Sequence, residues 1–427
     1  MLRPHIVILG AGFGGMYIAK KLADQVKKGE IDVTIVNRTN YFLFTPLLHE
    51  VATGGLSPRS VAEPLREVFA NTRVRLAQGT VEYINTEKRM VGINNGYDTS
   101  VLPYDYLVIA TGAETNYYGI PGAEKFSYPL KNLSDAVRIR SRVIDVFEQA
   151  VLAKDDDERI RLLSFAVVGG GATGVEVAAE LAEFIKGIVK RYYADTNDCR
   201  PEEPSITLIH TGKELLEMFA PSLRAAAERR LMHSGVALQM SSTVTSVTKE
   251  NVMLSANMSI PASTVIWAAG VKPTIPHFEG ASPTLTGGRI AVDQFFRLLG
   301  NERVFALGDV AAYVDTDSGT NDQPAKPLPM LAQVAIRQAK VVAFNIQASV
   351  GQKTLRPFHY HSQGSMVSVG QWFAIGEIFS LKIAGRLAWW MWRTVYLFKF
   401  ASWMKRTQIA FEWTIDLFYP RDITKLN

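Results

Sequence analysis

One cysteine, Cys199, stands in a chain of 427 residues. A single thiol forms no intrachain disulfide, so no disulfide framework supports the fold, and a reducing compartment is expected. The same scarcity excludes chemistry. Electron relay through a redox-active dithiol, or through a persulfide on paired cysteines, needs two thiols in one chain. Long apolar runs are also missing from the C-terminal region: a bilayer-spanning helix needs ~20 apolar residues, whereas the longest uncharged run in 382–406 is Leu387–Trp392. Histidines are few, and although His359 and His361 are close, no third ligand stands at a convincing spacing. No metal site is expected. The N-terminus enters an apolar strand (5–10) with no charged-then-apolar leader, so no signal or transit peptide is expected. The net charge of +5 is modest; it suits nucleotides or an anionic membrane surface, and no nucleic-acid partner is expected.

An apolar fraction of 47% with 20% charged residues is that of a folded globular protein, long enough for about three structural units. The segment HIVILG (5–10) reads as a buried strand, followed by a glycine turn, a helix to about Lys28 and a second strand, VTIVN (33–37). Residues 74–93 alternate as a small β-hairpin region, and DYLVIATG (105–112) is a strand running into a turn. A second βαβ opens at LSFAVVGGG (163–171), with a helix from about Thr173 and a strand SITLIH (205–210). VIWAAG (265–270) is expected to close this unit, and VFALGD (304–309) to return to the first. The run KDDDERIR (154–161) reads as a solvated connection, and the polar stretch 194–204 around Cys199 as a surface loop.

Gly10-Ala11-Gly12-Phe13-Gly14-Gly15 fits G-x-G-x-x-G in the strand–turn–helix setting that the motif requires. The first glycine permits the tight turn, the second lets backbone approach a pyrophosphate, and the third allows close helix–strand packing. The helix N-terminus supplies the anion-binding field. Gly169-Gly170-Gly171-Ala172-Thr173-Gly174 repeats the pattern after another apolar strand. Two fingerprints imply two nucleotides. A tightly held FAD and an exchanging NADH is the economical reading, because hydride transfer needs donor and acceptor held together.

Further segments carry a resemblance. Tyr41-Phe42-Leu43-Phe44-Thr45-Pro46-Leu47-Leu48 followed by Val51-Ala52-Thr53-Gly54 resembles the flavin-domain signature of type II NADH:quinone oxidoreductases. So do Ala110-Thr111-Gly112, Val265–Gly270 and Ala306–Val310. Ala332-Gln333-Val334-Ala335-Ile336-Arg337-Gln338 looks like that family's A-Q-x-A-x-Q quinone-site motif. The resemblance implies that Gly10, Gly12, Gly15, Thr111, Gly112 and Asp309 hold FAD, with Phe13, Gly14, Asn37, Arg38, Thr45, Pro46 and Gln333 beside it. It implies that Gly169, Gly171, Thr173, Gly174, His210 and Gly270 line the nicotinamide nucleotide. Glu176, in the first turn of the second fingerprint helix, matches a family glutamate near flavin and nicotinamide, where it serves proton or charge coupling. Its bland alternative is a carboxylate complementing a helix N-terminus. Gln333 and Gln338, five apart, diverge by ~140° on a helix, so one faces the flavin and Gln338 is assigned to the quinone side. A neutral amide donates to a quinone carbonyl without adding charge.

Two positions depart from the fingerprint. The first unit's second strand ends at Asn37, where an acid should grip the adenosine ribose. In the second unit the corresponding residue is His210. A carboxylate there accepts from the 2′-hydroxyl and repels a 2′-phosphate; protonated histidine attracts phosphate, and Lys213 adds to the attraction. NADPH is therefore expected as a second donor, with Glu214 a candidate for restoring NADH preference.

Five of the seven tryptophans (Trp389, Trp390, Trp392, Trp403 and Trp413) fall in the tail, with no acid between Glu377 and Glu412. On a helical projection Lys382, Arg386 and Arg393 cluster within ~40°, with Leu387, Met391, Val395 and Phe398 roughly opposite. That pattern predicts a helix lying on an anionic membrane surface, apolar face in the acyl region. The expected fold is α/β: two Rossmann-type dinucleotide-binding domains plus a C-terminal amphipathic helical membrane-anchoring segment. The expected division is an FAD domain (1–115 and 285–375), an NAD(P)H domain (116–284) and the tail (376–427). The expected protein is a peripheral enzyme of the cytoplasmic face of a prokaryotic inner membrane, reducing quinone without proton pumping, with homodimerisation left open. A reductase of a protein acceptor, or a signalling flavoprotein of the apoptosis-inducing-factor type, are the alternatives.

Overall fold

A computed structural model describes residues 3–193, 199–200, 202–314, 327–379, 381–400 and 402–425. The chain forms two compact units, each discontinuous: 1–42, 63–114 and 271–362 make the first, and 43–62, 115–270 and 363–427 the second. Residues 43–62 and 363–375 thus group with the second unit, and 271–284 with the first.

The first unit is built on a six-stranded sheet in the order Arg297–Leu298, Asn301–Ala306, Tyr106–Ile109, His5–Leu9, Asp32–Asn37, Arg75–Gln78. All but its first strand run parallel. The strand containing VFA returns to this sheet beside Tyr106–Ile109, as expected. The inner strands read as near-continuous apolar runs because helices cover parallel strands on both faces. The first fingerprint helix, Phe13–Lys28, buries Gly14, Gly15, Ile18, Leu22 and Val26 at helical spacing, and Gly29 ends it in a left-handed conformation (φ 75°). Thr80–Asn85 and Met90–Asn94 form the expected hairpin inside a separate four-stranded sheet.

The second unit repeats the plan with five parallel strands in the order Ser127–Pro129, Thr264–Trp267, Ser164–Val168, Ser205–Ile209, Val236–Gln239. The Thr264–Trp267 strand is the last in chain order to join this sheet, where it lies between Ser127–Pro129 and Ser164–Val168. Its crossover helix, Ala172–Ile188, is buried on most of its circumference. The charged run expected as a plain connection is instead a short helix, Asp156–Leu162, with no buried residue. The Asp155 carboxylate caps it by accepting from Glu158 N at 2.8 Å, and three acids occupy its first turn, favourable for the helix dipole. Residues 194–198 and 201 of the expected surface loop lie outside the described residues. Cys199 within it is buried, and burial first of all pushes its thiol up to about 12.

The tail departs from a single amphipathic helix. Lys382 lies in a strand, Leu381–Gly385, the last of an antiparallel three-stranded sheet with Ser365–Ser368 and Ala374–Ile378. Two helices follow, Arg386–Phe398 and Trp403–Ile415. No helix among the described residues is long and apolar enough to cross a membrane.

Candidate functional site

The two glycine turns have the same geometry. Gly10 and Gly169 adopt positive φ (97° and 121°), and a Cβ on either would meet the carbonyl oxygen of Ala110 or Ala268 at 2.3 or 2.4 Å. Only glycine permits that turn. A Cβ on Gly15 or Gly174 would lie 1.9 or 1.8 Å from the carbonyl of Gly10 or Gly169, so these glycines let helix and strand close together. Gly12 and Gly171, the N-cap residues, face open space and offer no side-chain cap. Neither helix carries an acid in its first turn. Both N-termini therefore carry neither an acid in the first turn nor a side-chain cap, and a pyrophosphate fits such a cradle.

Each turn is tied to the end of the next strand by one side chain. Asn37 Oδ1 accepts from Ala11 N at 2.9 Å, while its amide donates to the carbonyl and hydroxyl of Thr39. His210 Nδ1 accepts from Gly170 N at 3.1 Å. The residues expected to meet the two riboses are thus also braces of the phosphate turns. For His210 the bond fixes the neutral tautomer with its proton on Nε2, and desolvation lowers its pKa. The expected phosphate-attracting imidazolium is therefore disfavoured. Glu214, the candidate for restoring preference, is paired with Arg224 at 2.5 Å.

Other expected flavin-side residues of the first unit lie near its glycine turn. Thr111 donates to the Thr274 carbonyl at 2.6 Å, closing the turn at Gly112. Asp309 sits in a single turn, Gly308–Val310, with Arg289 within electrostatic reach. Arg38 lines a polar cavity of about 510 Å³ with Gln78, Thr80, Asn94 and Tyr97. Phe13 packs edge-on against Phe42 at 5.0 Å. Thr45 and Pro46 fall in the second unit.

The Ala332–Val350 helix corrects the reading of its glutamines. Counted strictly, A-Q-x-A-x-Q from Ala332 puts its second glutamine at position 337, where this chain has Arg337. Gln338 is one residue beyond. It is buried, and its Oε1 accepts from Gly308 N at 2.7 Å, bracing the turn that carries Asp309. Gln333 is half-exposed in the first helical turn.

Within the second unit, Glu176 is the fifth residue of its helix, so the first turn holds no acid and dipole complementation does not explain it. It is buried; Oε1 accepts from Ser368 N at 3.3 Å, and Oε2 lies 3.7 Å from His49 Nδ1. Desolvation first of all holds its pKa well above the usual carboxylate range. Around it the fold gathers groups the sequence reading missed. His49, pushed down to about 4 by burial, has a buried Nε2 with no hydrogen-bond partner among the described residues. Glu50, raised by burial to about 7, accepts from Trp413 Nε1 at 2.6 Å. Glu180 is kept ionised by Arg421, 2.5 Å away, whose own burial is outweighed by that carboxylate. Glu183, raised to about 7 by burial, takes Arg230 at 3.0 Å and Gln371 N at 2.7 Å. Glu176, Glu180 and Glu183 at i, i+4 and i+7 on an apolar helix were the available signal.

Arg393, expected on a basic outer face, is buried instead. Its guanidinium lies 3.8 Å from the Trp389 ring and 4.9 Å from the Trp413 ring, with Glu50 the largest opposing charge. Burying one cation of the expected face is tolerable because two aromatic faces and a carboxylate replace water. Arg406 is spent as well, donating to the Phe398 and Phe400 carbonyls at the end of the preceding helix. The face left outward is the apolar one: Leu387, Trp390, Val395 and Phe398, continued by Trp403, Met404, Phe411 and Ile415 at helical spacing. Leu387 and Trp403 are 69% and 72% exposed.

Comparison with known proteins follows these features. The family described as pyridine nucleotide-disulphide oxidoreductase matches residues 4–339, and the NDH2 C-terminal domain matches 362–422. The chain is 30% identical to the type II NADH:quinone oxidoreductase Ndh of Mycobacterium tuberculosis, over 98% of this chain and 89% of that protein. It is 30% identical to the Arabidopsis thaliana mitochondrial internal alternative NAD(P)H-ubiquinone oxidoreductase A1, over 99% and 86%. In fold it matches NDH2 of Plasmodium falciparum, solved in complex with NADH, with a TM-score of 0.90 over 99% of this chain and all of that one, at 24% identity.

Proposed function

The chain belongs to the type II NADH:quinone oxidoreductases, and from that premise we propose how its own residues divide the work. The protein is a peripheral membrane flavoenzyme that oxidises NADH and reduces quinone. FAD, when bound, supplies the hydride acceptor and the two-electron donor. The single observation that carries the reading is the pair of uncapped, acid-free helix N-termini in one chain, each behind a glycine turn. With one cysteine, no dithiol stands between nicotinamide and acceptor, although the family's description includes disulphide chemistry.

In this reading Gly10–Gly15 would seat the FAD pyrophosphate, Thr111 and Gly112 would stand beside it, and Asp309 could accept from ribityl hydroxyls. Gln338 holds the Asp309 turn in place. Gly169–Gly174 and Gly270 seat the nicotinamide nucleotide, with His210 beside its ribose. Glu176, buried and with its pKa raised by desolvation, stands beside a neutral His49 and is the group placed to hold a proton. Chemistry then rests on positioning, and no nucleophile or metal is invoked.

Membrane attachment belongs to the exposed apolar stripe of the two tail helices. Lys382 and Arg386, both exposed, remain to meet an anionic surface. The lone cysteine suits a reducing compartment, such as the cytoplasmic face of a prokaryotic inner membrane; the plant relative is mitochondrial by name. The test is steady-state turnover of the purified chain. NADH oxidation that depends on a short-chain quinone supports the reading; NADH binding without turnover counts against it.

A further inference from the structure

Within the second unit, the hairpin turn between strands Ser365–Ser368 and Ala374–Ile378 is held in a conformation it would not keep alone. Gly370 and Trp372 both have positive φ (83° and 66°). Glycine adopts that region freely, but a bulky tryptophan is strained there and stays only where its surroundings impose it. One ion pair does so. Arg230, in the helix Pro221–His233, lies 3.0 Å from Glu183. Its Nη2 also donates to the Gln371 carbonyl at 3.0 Å and its Nε to the Val369 carbonyl at 3.3 Å, with the guanidinium 5.8 Å from the Phe373 ring centroid. Glu183 Oε2 accepts from Gln371 N at 2.7 Å, and a Cβ on Gly370 would meet Glu183 Oε1 at 2.4 Å. From another side Trp372 packs on Trp389 at 4.7 Å.

The same helix that carries Glu183 grips the chain a second time. Buried Ser368, which opens the turn, donates its N–H to Glu176 Oε1 at 3.3 Å. Glu176 and Glu183 stand about two helical turns apart, so where the turn sits decides how the Ser368 amide meets the Glu176 carboxyl.

We propose that Arg230 is a positioning residue for Glu176: with Glu183 it fixes the 369–373 turn and so keeps the Ser368 amide on the Glu176 carboxyl. This rests on the reading above, in which Glu176 is the group placed to hold a proton. The groups facing that carboxyl are His49 at 3.7 Å, Glu50, Glu180 and Tyr396; those facing Glu183 are Glu180, Arg421 and Arg230. Burial first, and then Glu50 and Glu180, favour the neutral form of Glu176. The Ser368 amide opposes them, because a donor stabilises a carboxylate more than a carboxylic acid. Freeing the turn therefore strengthens proton binding at Glu176 without altering its own side chain.

The experiment takes infrared difference spectra of the full-length holoprotein across a pH titration, with Glu176→Gln identifying the Glu176 carboxyl band as the one it removes. In Arg230→Gln that band is expected at higher frequency, and the proton affinity it reports is expected to rise about fivefold, the loss of one ordinary hydrogen bond. Arg230→Lys separates geometry from charge. Lysine keeps the cation but not the planar fork that spans Glu183 and two carbonyls, so most of the same shift is expected. Glu183→Gln, the milder change, is expected to move the band in the same direction. Folded R230K and E183Q proteins whose band and affinity match the unsubstituted protein overturn the proposal. So does an R230Q shift that is absent from R230K, which would assign the effect to charge alone. Stopped-flow reduction of the flavin by NADH tests the reading separately: its pH profile is expected to follow the band to higher pH in R230K. An E176Q enzyme whose flavin reduction is unchanged at every pH overturns the role given to Glu176, while the infrared result still decides how its carboxyl is held.

Discussion

His210 and Asn37 occupy equivalent places, each accepting from the middle N–H of its glycine turn. For His210 this has a consequence for the nucleotide. With Nδ1 occupied and the pKa lowered, the ring stays neutral at pH 7, and any attraction for a 2′-phosphate falls to exposed Lys213. NADPH is therefore expected to be used, but with an NADPH/NADH ratio of kcat/KM that barely changes between pH 7.5 and 6.5. A steep gain in NADPH activity as pH falls through 6.5 contradicts a neutral His210. His210→Glu should raise NADH selectivity by about tenfold or more, since a carboxylate repels the 2′-phosphate.

Glu50 makes a second residue-scale prediction. Its folded pKa is raised to about 7 from 4.5, so its contribution to stability is complete below 4.5 and is lost as pH rises through about 7. His49, lowered from 6.5 to about 4, acts oppositely: its contribution is present above 6.5 and lost as pH falls through about 4. Between 4.5 and 6.5 His49 offsets part of this loss, and above 6.5 Glu50 prevails together with Glu183, which is also raised to about 7. Glu50→Gln should therefore flatten the decline of Tm between pH 6.5 and 8. A parallel decline in both proteins would show that Glu50 is not the group responsible.

Among elements, the tail is where sequence and structure part. The fingerprint helices were legible because a glycine turn is local: Gly10 to Gly15 and Gly169 to Gly174 carry their geometry within six residues. The buried cluster was not, because its pairs meet across the chain: Trp413 with Glu50 at a separation of 363 residues, and Arg421 with Glu180 at 241. A helical projection assigned Arg393 to water because periodicity reports faces, not which face turns inward. Of the expected apolar stripe Leu387, Val395 and Phe398 are exposed and Met391 half-exposed, while of the expected basic face Lys382 and Arg386 are exposed and only Arg393 turns inward. Deleting 382–427 would strip Glu50 and Glu180 of Trp413, Arg393 and Arg421, and an uncompensated buried charge costs about 3–5 kcal/mol. That truncation is expected to unfold the second unit, measured as a large loss of Tm. Serine at Leu387, Phe398, Trp403 and Phe411 together should spare Tm and release the protein from vesicles, each buried side chain being worth about 1.5 kcal/mol or more. Retention on neutral and anionic vesicles alike would remove the stripe as the anchor.

For the whole molecule, the account is a chain that repeats one nucleotide-binding plan, lacks a dithiol, and ends in a segment folded partly inward with an apolar stripe left exposed. The doubled plan follows from two strand–glycine–helix openings, and the discontinuity of each unit from strands such as Asn301–Ala306 that return to a distant sheet. The claim that holds these parts together is that electrons pass from NADH through bound flavin to quinone. An anaerobic visible spectrum of the purified full-length protein, taken before and after NADH and again after a short-chain quinone, tests it directly. The account predicts an oxidised flavin spectrum that bleaches with one equivalent of NADH and returns with one equivalent of quinone. A flavin that bleaches but is not reoxidised by quinone would contradict it.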